Sequence, residues 1–216
     1  MLLHLFFYLS TPLITTSTLE QKFLRGAEIK PYLNDIVHLC LKTWEEYPDL
    51  YEGTWEEYSP YVTIYSEFEN GIACLLLDDN KLVGVAMGLP LVQKGAEFTD
   101  PLRESGLDLD TIFYIGEVVI LKEYRHTGWG TRLYQTIENW LRDEDAFHLI
   151  ALITTIGENP HPMRPHNYIP ADTFWKKQGF TPYPELQLTK SWRSIETHED
   201  VEHTLMPWIK SIAPEN

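Results

Sequence analysis

Two glycines one residue apart, Gly128 and Gly130, stand between an apolar run over residues 118–121 and an amphipathic stretch that begins at Thr131. This order predicts a strand, a tight turn and a helix. Glycine lets the backbone approach a ligand closely and point several amide N–H groups the same way, and the following helix adds the positive end of its dipole. A turn of this kind is suited to binding phosphate.

Two familiar phosphate-binding loops do not fit these residues. A P-loop needs a lysine directly after its second glycine, whereas Gly130 is followed by Thr131 and Arg132. A dinucleotide fingerprint needs glycine or alanine three residues after its second glycine, and Leu133 occupies that position. The turn is therefore either another class of phosphate site or an ordinary glycine turn.

Two segments together carry a resemblance to a known family. Residues 125–130, Arg-His-Thr-Gly-Trp-Gly, resemble the acetyl-CoA-binding motif of the GCN5-related N-acetyltransferases, an Arg/Gln-x-x-Gly-x-Gly/Ala turn. Residues 171–180 resemble a later signature of the same superfamily, in which an amphipathic helix ends with an aromatic residue, a short spacer and Gly-Phe before a strand. Gly179 there fits the left-handed residue that stops a helix. Two such motifs in this order are harder to obtain by chance than either alone.

The resemblance implies both a fold and a coenzyme. It implies an α/β (α+β) fold, the GNAT-like acyl-CoA N-acyltransferase fold, with a mixed sheet of about six to seven strands flanked by about four helices. It also implies acetyl-CoA as co-substrate and no metal. Backbone N–H groups of residues 126–131 would hold the diphosphate, and the open edge of residues 118–120 would pair with the pantetheine arm like an added strand. The expected cofactor-binding residues are Val118, Val119, Ile120, Arg125, His126, Thr127, Gly128, Trp129, Gly130 and Thr131.

Hydrophobic periodicity predicts the elements that position this turn. Asp78, Asp79 and Asn80 supply a turn between two apolar runs and predict an antiparallel hairpin over residues 72–77 and 81–89. The polar stretch over residues 92–110 predicts a long loop near the site. The other expected elements are strands over residues 22–25, 147–154, 185–192 and 204–212, the last two at the far edge of the sheet, and a helix over residues 30–44.

Composition bounds the class of protein. The chain has 216 residues, of which 44% are hydrophobic, enough for one sizeable core and too little for two. Its net charge of -15 argues against a nucleic-acid partner and favours a cationic amine substrate, although acidity can also serve solubility alone. Cys40 and Cys74 form neither a disulfide framework nor a zinc spacing, which favours a reducing, cytoplasmic location. The oligomeric state stays open, a homodimer included.

The amino-terminal residues 1–19 form an apolar extension of uncertain role, and residues 20–216 are expected to form a single acetyltransferase domain. The apolar run over residues 2–14 is too short to span a bilayer. Its length suits a signal-peptide core, but no basic residues precede it and no clear cleavage site follows. We expect a segment packed on the domain, or an upstream extension from a start codon assigned too early.

Glu117 is the predicted catalytic base. Transfer to an amine removes a proton from nitrogen and returns a proton to the departing thiolate. Glu117 is a lone carboxylate within the apolar residues 113–121, and burial there should raise its pKa. In the resembling enzymes a Glu or Asp at or beside this strand position often contacts the amine. The alternative is a carboxylate held by backbone or by a neighbouring arginine.

The acid is harder to assign. Many resembling enzymes have a tyrosine five residues before the Phe of Gly-Phe, where this chain has Trp175, whose indole cannot donate a proton at neutral pH. Tyr168, in the proline-rich residues 160–170, is the predicted substitute, with water or another phenol as alternatives. Arg164 in the same segment is predicted to contact the substrate or a neighbouring carboxylate.

Residues 45–65 combine aromatic rings with carboxylates. The resemblance implies that this region folds over the acceptor site, where Tyr51 and Trp55 could hold an ammonium group against their ring faces. A partly exposed helix packed by its rings is the alternative. The predicted function is N-acetyl transfer from acetyl-CoA to a small cationic or peptidyl amine. A noncatalytic acyl-CoA-binding sensor or scaffold is the competing hypothesis, and Trp175 gives it weight.

Overall fold

The computed structural model describes residues 19–157 and 160–212, except for the side chains of residues 97, 98 and 101. The predicted apolar extension, residues 1–19, lies outside the described residues except for Leu19, which begins the first strand. In the described ranges, no helix is both long and apolar enough to cross a membrane.

An eight-stranded mixed sheet organises the described chain, in the order β1-β2-β3-β4-β5-β8-β6, with β7 paired to β8. Its neighbouring strands run antiparallel except β4 and β5, which run parallel. The strands are β1 (Leu19–Arg25), β2 (Ile72–Asp78), β3 (Lys81–Pro90), β4 (Ile112–Ile120), β5 (Leu149–Thr155), β6 (Thr181–Pro182), β7 (Leu188–Arg193) and β8 (Asp200–Ser211). This confirms the predicted mixed sheet, which has eight strands in the described chain where about six to seven were expected.

Five α-helices accompany the sheet in the described part of the chain: α1 (Leu33–Trp44), α2 (Trp55–Thr63), α3 (Ala96–Glu104), α4 (Trp129–Asp143) and α5 (Ala171–Lys177). Helix α1 begins at Leu33, three residues later than predicted, because residues 26–32 form 3₁₀ turns that contain Pro31. Along β4 the side chains alternate between two apolar clusters. Phe113 and Ile115 lie in the larger cluster with α1, α2, α4 and α5, whereas Ile112 and Tyr114 lie in the smaller one.

The prediction of a long loop over residues 92–110 is wrong, because these residues contain α3. Leu102 in α3 is buried and packs in the smaller apolar cluster with Leu91, Leu109 and Tyr114. These partners come from before and after the helix. Helix α3 is therefore stabilised by tertiary contacts. The glycine and proline residues of the segment favour a loop, and so they led to the wrong prediction.

Two predicted turns are confirmed by their backbone angles. Asp79 and Asn80 have φ of 47° and 66°, as the tight hairpin between β2 and β3 requires. Gly179, after α5, has φ of 86°, the left-handed conformation that ends a helix.

Strand β4 contains a β-bulge at the point where it stops pairing with β5. Across the β3–β4 pair, Met87 lies opposite Glu117 and Gly88 lies opposite Ile115, so Gly116 is an extra residue in β4. Strand β4 pairs with β5 only over residues 112–115. From the bulge onward, residues 116–120 have no strand partner on that side in the described chain.

Candidate active site

Glu117 lies directly after the bulge, where β4 leaves β5, and only 8% of it is exposed. Its Oε1 accepts a hydrogen bond from the Tyr58 hydroxyl of α2 at 2.8 Å. The Tyr58 oxygen in turn accepts one from Trp44 Nε1, at the end of α1, also at 2.8 Å. Reciprocal hydrogen bonds between Thr54 and Glu57 fix the start of α2 and so the position of Tyr58.

Burial raises the pKa of Glu117 to about 7. The hydrogen bond from Tyr58 and the charge of Lys94 act in the opposite direction, whereas the charge of Asp49 raises the pKa further. In the described residues Glu117 forms no ion pair, and its Oε2 accepts no hydrogen bond. The hydrogen-bond partner of Glu117 is thus the phenol of Tyr58. The alternative expectation, an arginine that pairs with Glu117, is wrong for the described residues. A carboxyl of this kind can accept a proton near neutral pH.

Gly116 allows the bulge to pack against Tyr65. A Cβ at position 116 would overlap the Tyr65 hydroxyl, which is fully buried. The position therefore tolerates no side chain unless Tyr65 moves.

We expect Gly116→Ala to lower the free energy of unfolding by about 1–3 kcal/mol, because overpacking forces neighbouring groups to shift. Urea denaturation measures this. Gly130→Ala is the matched control, since a Cβ there meets its nearest neighbours only at 3.6 Å or more. Equal unfolding free energies for the two variants would contradict this interpretation of the bulge.

A cavity of about 550 Å³ opens beside Gly116. Its walls come from the end of α1, residues 49–52, α2, β4, β5 and the β7–β8 hairpin. Strand β7, which covers most of the stretch 185–192 predicted at the far edge of the sheet, thus also forms part of the cavity wall. The lining rings are Trp44, Tyr51, Tyr58, Tyr61, Tyr114 and Trp192, the carboxylates are Asp49, Glu52, Glu57 and Asp200, and the cations are Lys190 and Arg193.

Asp49 is a site residue that the sequence did not single out. It accepts a hydrogen bond from Thr155 Oγ1 at 2.6 Å, and burial raises its pKa to about 6. Glu52, by contrast, is paired with Arg193 and His198. In the described chain no cation is paired with Asp49. No sequence signal reveals it, because Thr155 lies 106 positions away.

Of the three residues predicted to contact the acceptor, only one lines the cavity. Tyr51 lines the cavity, whereas Trp55 lies at the start of α2, is 42% exposed and is not in the cavity wall. Arg164 donates from Nη1 to the Tyr47 hydroxyl at 3.2 Å, and its guanidinium lies 4.9 Å from the centre of the Tyr168 ring.

Tyr168, the predicted acid, packs edge-on against Tyr47 with ring centres 4.8 Å apart. Burial raises its pKa to about 12. The structure places it in this cluster and not in the wall of the cavity beside Glu117. Trp175 is buried and packs edge-on against Tyr134 and Phe180.

The glycine turn presents unpaired amides. Gly128 has φ of 89° and His126 has φ of 62°, and α4 begins at Trp129 without a side-chain cap. Arg132 is the first residue of α4 whose amide donates a hydrogen bond back to the turn, to Gly128 O. In the described residues, the N–H groups of residues 126–131 donate to no backbone carbonyl. Such a helix start suits an anion.

Arg125 has a structural role in its side chain. Its Nε donates to Ile120 O at 2.7 Å, and both terminal nitrogens bind Glu46, at 2.7 and 2.9 Å. The guanidinium thereby ties the end of β4 to the segment after α1. The backbone of Arg125 leads directly into the glycine turn. Across the described ranges, no group of three or more His, Cys, Asp or Glu side chains is arranged to hold a metal ion.

Comparison with protein families identifies the class. The model described as "Acetyltransferase (GNAT) family" matches residues 40–164, more than half of the chain. The chain therefore belongs to the GNAT acetyltransferase family, a family of acyltransferases. A search of curated proteins gives no match.

Solved structures show the same fold. Ribosomal-protein-alanine N-acetyltransferase from Brucella melitensis has a TM-score of 0.57 at 12% identity, over 88% of this chain and 99% of that one. Arabidopsis thaliana NAA60, solved with a bisubstrate analogue, has a TM-score of 0.58 at 13% identity, over 91% and 100%. Aminoglycoside 6'-acetyltransferase type Ii has a TM-score of 0.54 at 18% identity, over 90% and 99%.

Proposed function

We propose that the protein is an N-acetyltransferase that transfers the acetyl group of acetyl-CoA to a primary amine by direct attack in a ternary complex. One observation carries the proposal. The buried carboxyl of Glu117 lies between the unpaired edge of residues 116–120 and an aromatic, acidic cavity. Acetyl-CoA, when bound, supplies the activated acetyl thioester. The chain brings both reactants to one carboxylate, and proximity of this kind removes much of a reaction barrier.

On the coenzyme side, the fit rests on the backbone. The unpaired edge at Val118, Val119 and Ile120 offers N–H and C=O groups to an extended amide chain such as pantetheine. The N–H groups of residues 126–131, at the start of α4, suit a diphosphate. No side-chain cap at Gly128 competes for these amides.

On the acceptor side, the cavity favours a cation. The nitrogen that attacks must be neutral, so a carboxylate that stays ionised serves a second charge on the acceptor. Asp49 fits this role because no cation of the described chain neutralises it, and the ring of Tyr51 offers a face to an ammonium group. Aminoglycoside 6'-acetyltransferase type Ii, which is similar in fold, acts on aminoglycosides, and this supports an acceptor of that kind. We favour a small amine with a second amino group over a peptidyl amine.

Incubating the purified protein with acetyl-CoA and a panel of polyamines, aminoglycosides, amino acids and peptides tests the proposal. Release of free thiol above background is expected with the amines that carry a second cation. The competing hypothesis is a noncatalytic acyl-CoA sensor, favoured by the burial of Trp175 where the resembling enzymes have a phenol. Tight binding of acetyl-CoA without thiol release from any amine would support the sensor and overturn the enzyme.

The activity should depend on the ionisation of Glu117. Because burial raises its pKa to about 7, the base is neutral and inactive below that pH and ionised above it. We expect kcat/KM to rise with pH through a midpoint near 7. Two acceptors with different amine pKa values separate the contributions, since the midpoint from Glu117 stays fixed between them. A profile with no limb near neutrality would show that Glu117 does not titrate in the reaction.

A further inference from the structure

Tyr58 occupies the position between the cavity and Glu117. Its ring is part of the cavity wall, whereas Glu117 lies behind that wall and is not among the lining residues of the described chain. The Tyr58 hydroxyl is 2.8 Å from Glu117 Oε1. Of the two groups, Tyr58 therefore borders the cavity and Glu117 does not.

The hydrogen bonds around Tyr58 have a fixed direction. An indole N–H can only donate, so the Tyr58 oxygen must accept from Trp44 Nε1. The single Tyr58 proton is then left to point at Glu117 Oε1. The phenol oxygen, which accepts from Trp44, retains a second lone pair that can accept a hydrogen bond. Trp44, Tyr58 and Glu117 thus form a chain in which each proton points toward the carboxylate.

We propose that Tyr58 is a catalytic residue that relays the proton of the acceptor amine to Glu117, and that Trp44 is the positioning residue that sets the direction of the relay. This inference rests on the proposed function. One N–H bond of the protonated acceptor amine breaks as an O–H bond forms at Tyr58 Oη, while the original Tyr58 O–H bond breaks and a bond to hydrogen forms at Glu117 Oε1. The nitrogen keeps its electron pair for the attack. The net change is one proton moved from nitrogen to carboxylate.

The surroundings support a relay in which the phenol stays neutral. Burial and the nearby charge of Glu117 raise the pKa of Tyr58 well above its usual value, so phenolate does not accumulate. Within the described chain Oε2 of Glu117 accepts no hydrogen bond, and burial outweighs the groups that favour the charged form, so the pKa of Glu117 is raised and the carboxylate takes up a proton readily. Five other titratable groups face Glu117. They are Cys40 in α1, Asp49 in the loop after α1, Tyr65 in the turn before β2, Lys94 before α3, and Tyr114 in β4.

The test compares Tyr58→Phe, Trp44→Phe and Tyr61→Phe in the full chain. Tyr61→Phe is the matched control, because Tyr61 lines the same cavity, is 45% exposed and has its ring centre 6.1 Å from that of Tyr58. We expect Tyr58→Phe to lower kcat by about 10²-fold with little change in KM. Its residual activity should show the pH limb displaced upward, because the hydrogen bond from Tyr58 lowers the pKa of Glu117. Trp44→Phe should give a smaller loss of the same kind, and Tyr61→Phe none.

The double variant Tyr58→Phe with Glu117→Gln separates a relay from two independent roles. A relay predicts that the double variant is no slower than Glu117→Gln alone, because both changes interrupt one path. Thermal unfolding checks that each variant is folded, and Trp44→Phe provides the readout should Tyr58→Phe not fold. Losses that multiply, or a wild-type kcat and pH profile in Tyr58→Phe, would overturn the relay and leave the acetyltransferase proposal standing. No thiol release from the unmodified protein with any amine would overturn both.

Discussion

Glu117→Gln is expected to lower kcat for amine acetylation by about 10²–10⁴-fold, the usual worth of a general base. Glutamine keeps the shape of the side chain, and its carbonyl oxygen can still accept the hydrogen bond from Tyr58. It cannot take up a proton near neutral pH. Since the contacts proposed for the coenzyme are made by backbone groups, the affinity for acetyl-CoA should stay unchanged. Thiol release gives kcat, and calorimetry gives the affinity.

Glu20→Gln, in β1, is the control for loss of a carboxylate from a strand, because Glu20 is exposed and remote from β4. Full activity of Glu117→Gln between about pH 6 and pH 9 would exclude Glu117 as the base.

The stability of Glu117→Gln provides a second check. The pKa of Glu117 is raised from 4.5 to about 7 in the fold, so its ionisation destabilises the fold as the pH rises through this range. The variant should therefore be more stable than the unmodified protein at about pH 8, and this advantage should shrink near pH 5.

Gly128→Val is expected to weaken acetyl-CoA binding by about 100-fold or more, which corresponds to roughly 3 kcal/mol. Gly128 has φ of 89°, a conformation that a β-branched residue adopts only with strain. A Cβ there would meet no atom of the protein within 4 Å, so a valine would extend into the space that a diphosphate needs to reach the amides. Calorimetric titration with acetyl-CoA measures the loss.

Gly106→Val is the matched control for the backbone strain. Gly106 has φ of 83°, and a Cβ there also points into open space, but it lies in the turn after α3. Both variants should lose similar stability, and only Gly128→Val should lose affinity. An unchanged dissociation constant in Gly128→Val would show that the turn does not bind the coenzyme.

The sequence predicts best those features that a single residue imposes on its own backbone. The turn at Gly128, the hairpin turn at Asp79 and Asn80, and the stop at Gly179 all depend on local φ, and the structure has them in left-handed conformation. Helix α3 escapes prediction because its burial depends on partners outside the segment.

The site divides in the same way. Glu117 is visible in the sequence because a carboxylate in an apolar strand is unusual, and the structure buries it as expected. Its contact with Tyr58 spans 59 positions, and that of Asp49 with Thr155 spans 106. Contacts at such separations are set by how α2 and the residues after α1 pack on the sheet. No pattern along the chain encodes them, nor the extra residue that Gly116 adds to β4.

The most direct test of the account is a calorimetric titration of the unmodified protein with acetyl-CoA and with CoA, at two temperatures. Two temperatures are needed because burial of apolar surface changes the heat of binding with temperature, and the heat can vanish at one of them. We expect saturable binding of one coenzyme per chain, by the unpaired edge of β4 and the amides at the start of α4. Absence of heat for both ligands at both temperatures would contradict the acetyltransferase and the sensor alike.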